Sequence, residues 1–83
     1  MKTQTKEMTP EEIKGAFGYD EVDDFSEGVA LVCKDKKWFH VDKNGEPIYK
    51  KKYHCAGSFR DGVAYVFRDG DWIKINKKGE EFF

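Results

Sequence analysis

The chain lacks most of the features that would place it at once. None of its 83 residues belong to an apolar run near the ~18–20 that a membrane-spanning helix requires. Its opening, MKTQTKEMTPEE, carries lysines with no hydrophobic stretch behind them, so it does not read as a secretory leader. Two cysteines, Cys33 and Cys55, are too few for a disulfide scaffold. Neither sign of charge dominates: 15 basic residues face 16 acidic ones, a net of −1. That balance removes the long-range field of a nucleic-acid or membrane-surface binder. No phosphate-cradling glycine loop, nucleotide fingerprint or serine–histidine–aspartate spacing occurs. The expectation is a soluble, cytoplasmic chain without enzymatic activity or cofactor. No membrane contact is expected, and nucleic acid is not the anticipated partner.

What the chain does contain is aromatic and repetitive. A length of 83 residues allows one domain, which buries only ~60–65% of its unfolded surface. Aromatics at 16% supply a core from few residues. Residues 19–49 lie over 53–83 without a gap. Tyr19 meets Tyr53, Phe25 meets Phe59, and Gly28-Val29-Ala30 meets Gly62-Val63-Ala64. Val32/Val66, Asp35/Asp69, Trp38/Trp72, Lys43/Lys77, Gly45/Gly79 and Glu46/Glu80 complete 11 identities in 31 positions. Such density marks a tandem duplication, and a period of this length points to a repeat architecture.

Each copy reads as strands. Val29, Leu31 and Cys33 alternate with Ala30 and Val32, and Phe39 and Val41 alternate with Trp38, His40 and Asp42. The second copy repeats this with Val63, Tyr65, Phe67 and then Ile73, Ile75. β-branched and aromatic residues fill both runs. Asp35-Lys36 and Asp69-Gly70 fall where a two-residue hairpin turn belongs. Lys43-Asn44-Gly45 and Lys77-Lys78-Gly79 supply a second turn with a left-handed glycine. Ser26-Glu27-Gly28 and Arg60-Asp61-Gly62 are expected to form three-residue loops. Glu46–Ala56 is open: one long bent strand gives three strands per repeat, while two strands broken at Lys50-Lys51-Lys52 give four.

Upstream, Thr9-Pro10-Glu11-Glu12 is a capping box with proline at the first helical position. Ile13, Ala16 and Phe17 form one apolar stripe and Gly18 stops the helix. A helix this short needs docking, and the end of the sheet is the expected place. The predicted organisation is all-β. An antiparallel meander of two ~34-residue repeats follows a short capping helix. Residues 1–8 form a flexible N-terminus, 9–18 the helix, 19–49 the first repeat and 53–83 the second. The meander is expected to curl into a small open barrel or to resemble two adjacent propeller-like blades.

The recurring phrase is an aromatic, then acid-Gly-x-Ala-x-Val. A tryptophan follows ten residues past the glycine, and then [Val/Ile]-[Asp/Asn]-Lys-x-Gly. It resembles the WG-repeat (KWG-repeat) family of bacterial proteins. The stretches are FSEGVALVCKDKKWFHVDKNGEPIY and FRDGVAYVFRDGDWIKINKKGEEFF, and the resemblance spans residues 19–83. This chain departs from the naming dipeptide, having Trp38-Phe39 and Trp72-Ile73. The resemblance implies a β-rich repeat module, usually in longer arrays, and brings no catalytic residues.

Several residues invite a chemical reading. Cys33, His40, His54 and Cys55 make a two-cysteine, two-histidine set, but adjacent strand residues face opposite ways and cannot easily share a metal. No metal is expected. Lys50-Lys51-Lys52 between Tyr49 and Tyr53 has the interleaving of a single-strand nucleic-acid groove. It reads better as a solvated connector. Glu21, Asp23, Asp24 and Glu27 form a solvated acidic rim, since the second copy carries Cys55, Gly57, Ser58 and Asp61 there. Glu80–Phe83 reads as an exposed edge ending in two phenylalanines. The expected function is a binding or scaffold module. A protein partner, or a second copy, adds at the C-terminal edge strand. The alternative is a small-ligand or carbohydrate module using the repeated aromatics. Trp38, Trp72, Tyr65, His40, Phe82 and Phe83 are the candidate binding residues.

Overall fold

The structure is a computed structural model that describes residues 7–82. Most of the expected flexible N-terminus, and Phe83, lie outside the described residues. The elements are α1 (Pro10–Phe17), β1 (Glu21–Ser26), β2 (Val29–Lys34), β3 (Lys37–Val41), β4 (Cys55–Ala56), β5 (Ala64–Arg68), β6 (Asp71–Ile75) and β7 (Glu81–Phe82). They form two antiparallel meanders, β1-β2-β3 and β4-β5-β6-β7. The all-β repeat reading therefore stands.

The turns explain the meander. Asp35-Lys36 and Asp69-Gly70 take positive φ at both positions, as two-residue hairpins require. The Ser26 and Arg60 turns differ from the expected three-residue loops. Ser26 pairs directly with Val29 and Arg60 with Val63. Glu27-Gly28 and Asp61-Gly62 are thus two-residue turns with positive φ throughout. An acidic residue tolerates the left-handed conformation well enough to take the first position.

Glu46–Ala56 is neither one strand nor two full ones. Val41 bridges Pro47, and the Ile48 N–H donates to the His40 carbonyl at 3.1 Å. Proline has no N–H to extend that ladder. The chain then bends through Ile48–Lys50. Tyr53 next exchanges both backbone bonds with Trp38, each at 2.8 Å. This exchange joins the two sheets. Repeat two has a fourth short strand, β7, where repeat one has only the Pro47 bridge.

The helix is capped as expected. The Glu12 N–H donates to the Thr9 hydroxyl at 3.2 Å, and the Thr9 N–H donates to the Glu12 carboxylate at 2.9 Å. Gly18 closes it at φ 72°. Ile13 is fully buried and Phe17 packs on the core, but Ala16 is exposed. The buried stripe is narrower than the sequence suggested. Phe17 stacks on Tyr19 with ring centroids 5.4 Å apart and lies against Gly45, whose φ is 86°. In the second repeat Tyr49 lies the same way against Gly79, at φ 81°. The helix thus does at the N-terminal end what the inter-repeat connector does in the middle. It covers the turn of the first repeat and caps that end.

Cross-strand partners share a face. On one face Ala30, Val32, Phe39 and Val41 of repeat one are buried, and so are Ala64, Val66, Ile73 and Ile75 of repeat two. These residues form one cluster with Ile13, Tyr53 and Phe59. Burying side chains of this size stabilises by about 1.5–3 kcal/mol each. No helix among the described residues is long and apolar enough to cross a membrane.

Candidate functional site

The opposite face separates the two copies. In repeat one it carries Val29, Leu31, Cys33 and His40, all buried, with Trp38 half-buried. The second repeat meets it at His40 and Trp38. His40 sits at 0% exposure between the copies. Its Nε2 lies 2.7 Å from the Gly57 carbonyl and its Nδ1 lies 2.6 Å from the Tyr49 hydroxyl. A carbonyl only accepts, so Nε2 carries the hydrogen and Nδ1 accepts from the Tyr49 O–H. The ring also packs edge-on to Phe59, centroids 4.6 Å apart. Burial holds His40 neutral and lowers its pKa to about 4, and burial likewise raises the Tyr49 phenol.

A second set of contacts locks the turns together. The Glu27 carboxylate accepts from the Asp61 N–H and, at 2.9 Å, from the Gly62 N–H. The Lys77 ammonium donates to the Glu27 carbonyl at 2.7 Å. Donation from the Gly62 backbone, with that of Asp61 and the nearby ammonium, holds the Glu27 carboxyl below its ordinary range. Glu81 gathers a further set of contacts, within repeat two and the connector before it. It takes Arg68 Nη2 at 2.7 Å, Lys51 at 3.0 Å and the Tyr53 hydroxyl at 3.1 Å. The Arg68 guanidinium leads in pulling its pKa down to about 2.

In repeat two the same face is uncovered. Tyr65 is 56% exposed, Trp72 58% and Phe82 36%. These are the exposed large hydrophobics among the described residues. Phe67 leans on Trp72 at 5.2 Å, and Lys74 holds its ammonium 5.7 Å from the Phe82 ring. Tyr65 pairs with Lys74, and Lys74 in turn with Phe82, so the patch runs across β5, β6 and β7. The outer side of β6 is also open at its Trp72 end, since β7 pairs only with Lys74 and Ile75. Trp72 occupies the register position of Trp38, with N–H and C=O directed outward. Among the described residues it makes no exchange like that of Trp38 with Tyr53.

Of the candidates from the sequence, Trp72, Tyr65 and Phe82 come together here. Trp38 lies at the covered junction, and Phe83 is outside the described residues. His40 lies in the core, where it bonds the two repeats and touches no open surface. The physical reason is that its face meets repeat two, whereas the Lys74 face meets solvent. Two residues of the patch were not singled out for binding in the sequence, Phe67 and Lys74. The signal was there, since Cys33/Phe67 and His40/Lys74 are both places where the copies disagree.

The other candidate chemistry disperses. Cys33 is buried and its thiol is pushed up by burial, while Cys55 is exposed. No group of three or more metal-ligating side chains gathers among the described residues. Lys51 is engaged by Glu81, and the Lys52 ammonium lies 4.6 Å over the Phe39 ring. Lys50, Lys52 and Lys78 line a shallow cavity of about 630 Å³ floored by Pro47, Ile48 and Tyr49.

A model of the WG containing repeat matches residues 16–38 and 41–72, and both matches end on the repeated tryptophan. Neither the curated proteins nor the solved structures include a match to this chain.

Proposed function

The chain belongs to the WG-containing repeat family, and from that premise we propose a non-catalytic binding or scaffold module that makes protein–protein contact through the end face of its second repeat. One observation carries this reading. A face that protein covers in repeat one is left in repeat two with Tyr65, Trp72 and Phe82 exposed beside an open strand edge. Solenoid units bury this kind of face only against a neighbour. Aromatic anchors next to unpaired backbone groups suit strand addition, in which main-chain bonds give affinity and side-chain pockets give specificity.

The test is to place a neighbour against this face. A chain extended after Phe83 by a further copy of residues 50–83 places a third repeat in register. Heteronuclear NMR then follows the Trp72 indole and amide. The reading expects Trp72 to become half-buried and its amide protected, as Trp38 is. A third repeat that folds while Trp72 stays exposed would refute it.

A further inference from the structure

The head of the first repeat complements the exposed end face. This inference rests on the reading that the face binds protein, and it names the partner as a second copy of this chain. The junction inside the chain sets the register. Moving each of its residues by the 34-residue period carries the second repeat of one copy onto the first repeat of another. The Trp38–Tyr53 exchange becomes Trp72 with Tyr19 of the next copy. The hydrogen bond from His40 to the Gly57 carbonyl becomes Lys74 beside the backbone of Asp23, a residue that adds a carboxylate where Gly57 has no side chain. The His40–Phe59 ring contact becomes the Lys74 ammonium against Phe25. The clamp of Glu27 on the Asp61-Gly62 turn becomes Asp61 facing the N–H groups of Glu27 and Gly28.

The differences between the copies compensate in this register. A histidine donating to a carbonyl is what a buried junction inside one chain tolerates, because it carries no charge. Lysine and aspartate stand at the same two places on the open ends. Asp23 and Asp61 are exposed, Lys74 is half-buried and Trp72 is exposed. The receiving side is an open edge as well, since β1 ends the order β1-β2-β3. Helix α1 takes the place of a connector there, under Gly45, and adds no strand. Asp23 and Asp24 lie where the β1–β2 register shifts, at the positions of Gly57 and Ser58. A shift at this point leaves groups directed out of the ladder.

We infer that the chain self-associates head to tail, β1 of one copy adding to β6 of the next around a Lys74–Asp23 ion pair. Such a contact is heterologous, so it builds chains or rings and not closed two-fold dimers. The hydrophobic patch supplies affinity, while the ion pair fixes register and orientation.

Sedimentation velocity over a concentration series, using the full chain, tests it. The unaltered protein is expected to associate with rising concentration. Lys74→Asp and Asp23→Lys should each weaken association by about tenfold or more, because each brings like charges together. An equimolar mixture of the two variants should associate again, since each contact then joins opposite charges. Near-unchanged circular dichroism checks that both variants fold, and Asp23→Asn provides a milder one that should weaken association without reversal. Association that ignores both reversals overturns the inference, as does a mixture that fails to recover. A strictly monomeric wild-type chain overturns it too. The third-repeat experiment judges the protein-binding face separately, because it requires no second copy.

Discussion

Mild acid should loosen the junction between the repeats before any carboxylate is involved. His40 is fully buried and neutral, and protonating it would put a second donor where its Nδ1 now accepts from Tyr49. Its pKa falls from 6.5 to about 4 in the folded chain. A base with a depressed folded pKa contributes stability that is present above the unfolded value, and loses it as pH falls from there towards the folded value. One pKa unit corresponds to ~1.4 kcal/mol, so the loss reaches about 3 kcal/mol near pH 4. Between pH 7 and pH 5 it is about 2 kcal/mol. A domain of this length has a total stability of about 4–12 kcal/mol, so the effect is large. Glu81 and Glu27 depend on pH in the same direction but in a lower window. Their depressed pKa values give stability that is present above 4.5 and is lost only below it. The window from pH 7 to 5 therefore isolates histidine. Urea unfolding followed by tryptophan fluorescence at pH 7, 6 and 5 measures the loss. His40→Gln should remove the pH dependence in this window while lowering stability at pH 7. The same substitution at exposed His54 should leave the dependence in place. A wild-type midpoint constant from pH 7 to pH 5 would refute the reasoning. So would an undiminished slope in His40→Gln.

The other expectations concern packing and reactivity. Gly79→Ala should cost about 3 kcal/mol or more, because the new Cβ lies 2.5 Å from Tyr49 Cβ at a φ of 81°. Gly70→Ala, at φ 83° with nothing within 4 Å, should cost only about 1 kcal/mol. Chemical denaturation compares the two, and equal losses would count against the Tyr49 contact. A thiol reagent should titrate one cysteine, Cys55, in the folded protein and two in urea. Rapid native modification of both would contradict the burial of Cys33.

The sequence was most legible where local chemistry leaves little choice. The Thr9–Glu12 box, the Asp-Gly turn and the glycines of the Lys-x-Gly turns each have one conformation that satisfies them, and each was found in place. The duplication was legible because both copies must build the same three strands. Glu46–Ala56 was not, because its path is decided by tertiary contacts. Tyr49 goes under Gly79 and Tyr53 goes to the edge of Trp38, and neither contact has a local signature. The role of His40 was hidden for a related reason. Alternation assigned it to a face, but whether that face meets solvent or another repeat depends on stacking. The mismatched pairs His40/Lys74 and Leu31/Tyr65 held that information, since one member of each pair is covered and the other is not.

Amide hydrogen exchange at the two tryptophans of the unaltered chain, in dilute solution, tests the central claim most directly. Trp38 and Trp72 occupy equivalent strand positions, and only Trp38 has its outward N–H bonded, to Tyr53 at 2.8 Å. Trp38 should exchange only as the protein unfolds, and Trp72 at nearly the rate of an open chain. Equal, strong protection of both amides would contradict an open end face on the second repeat.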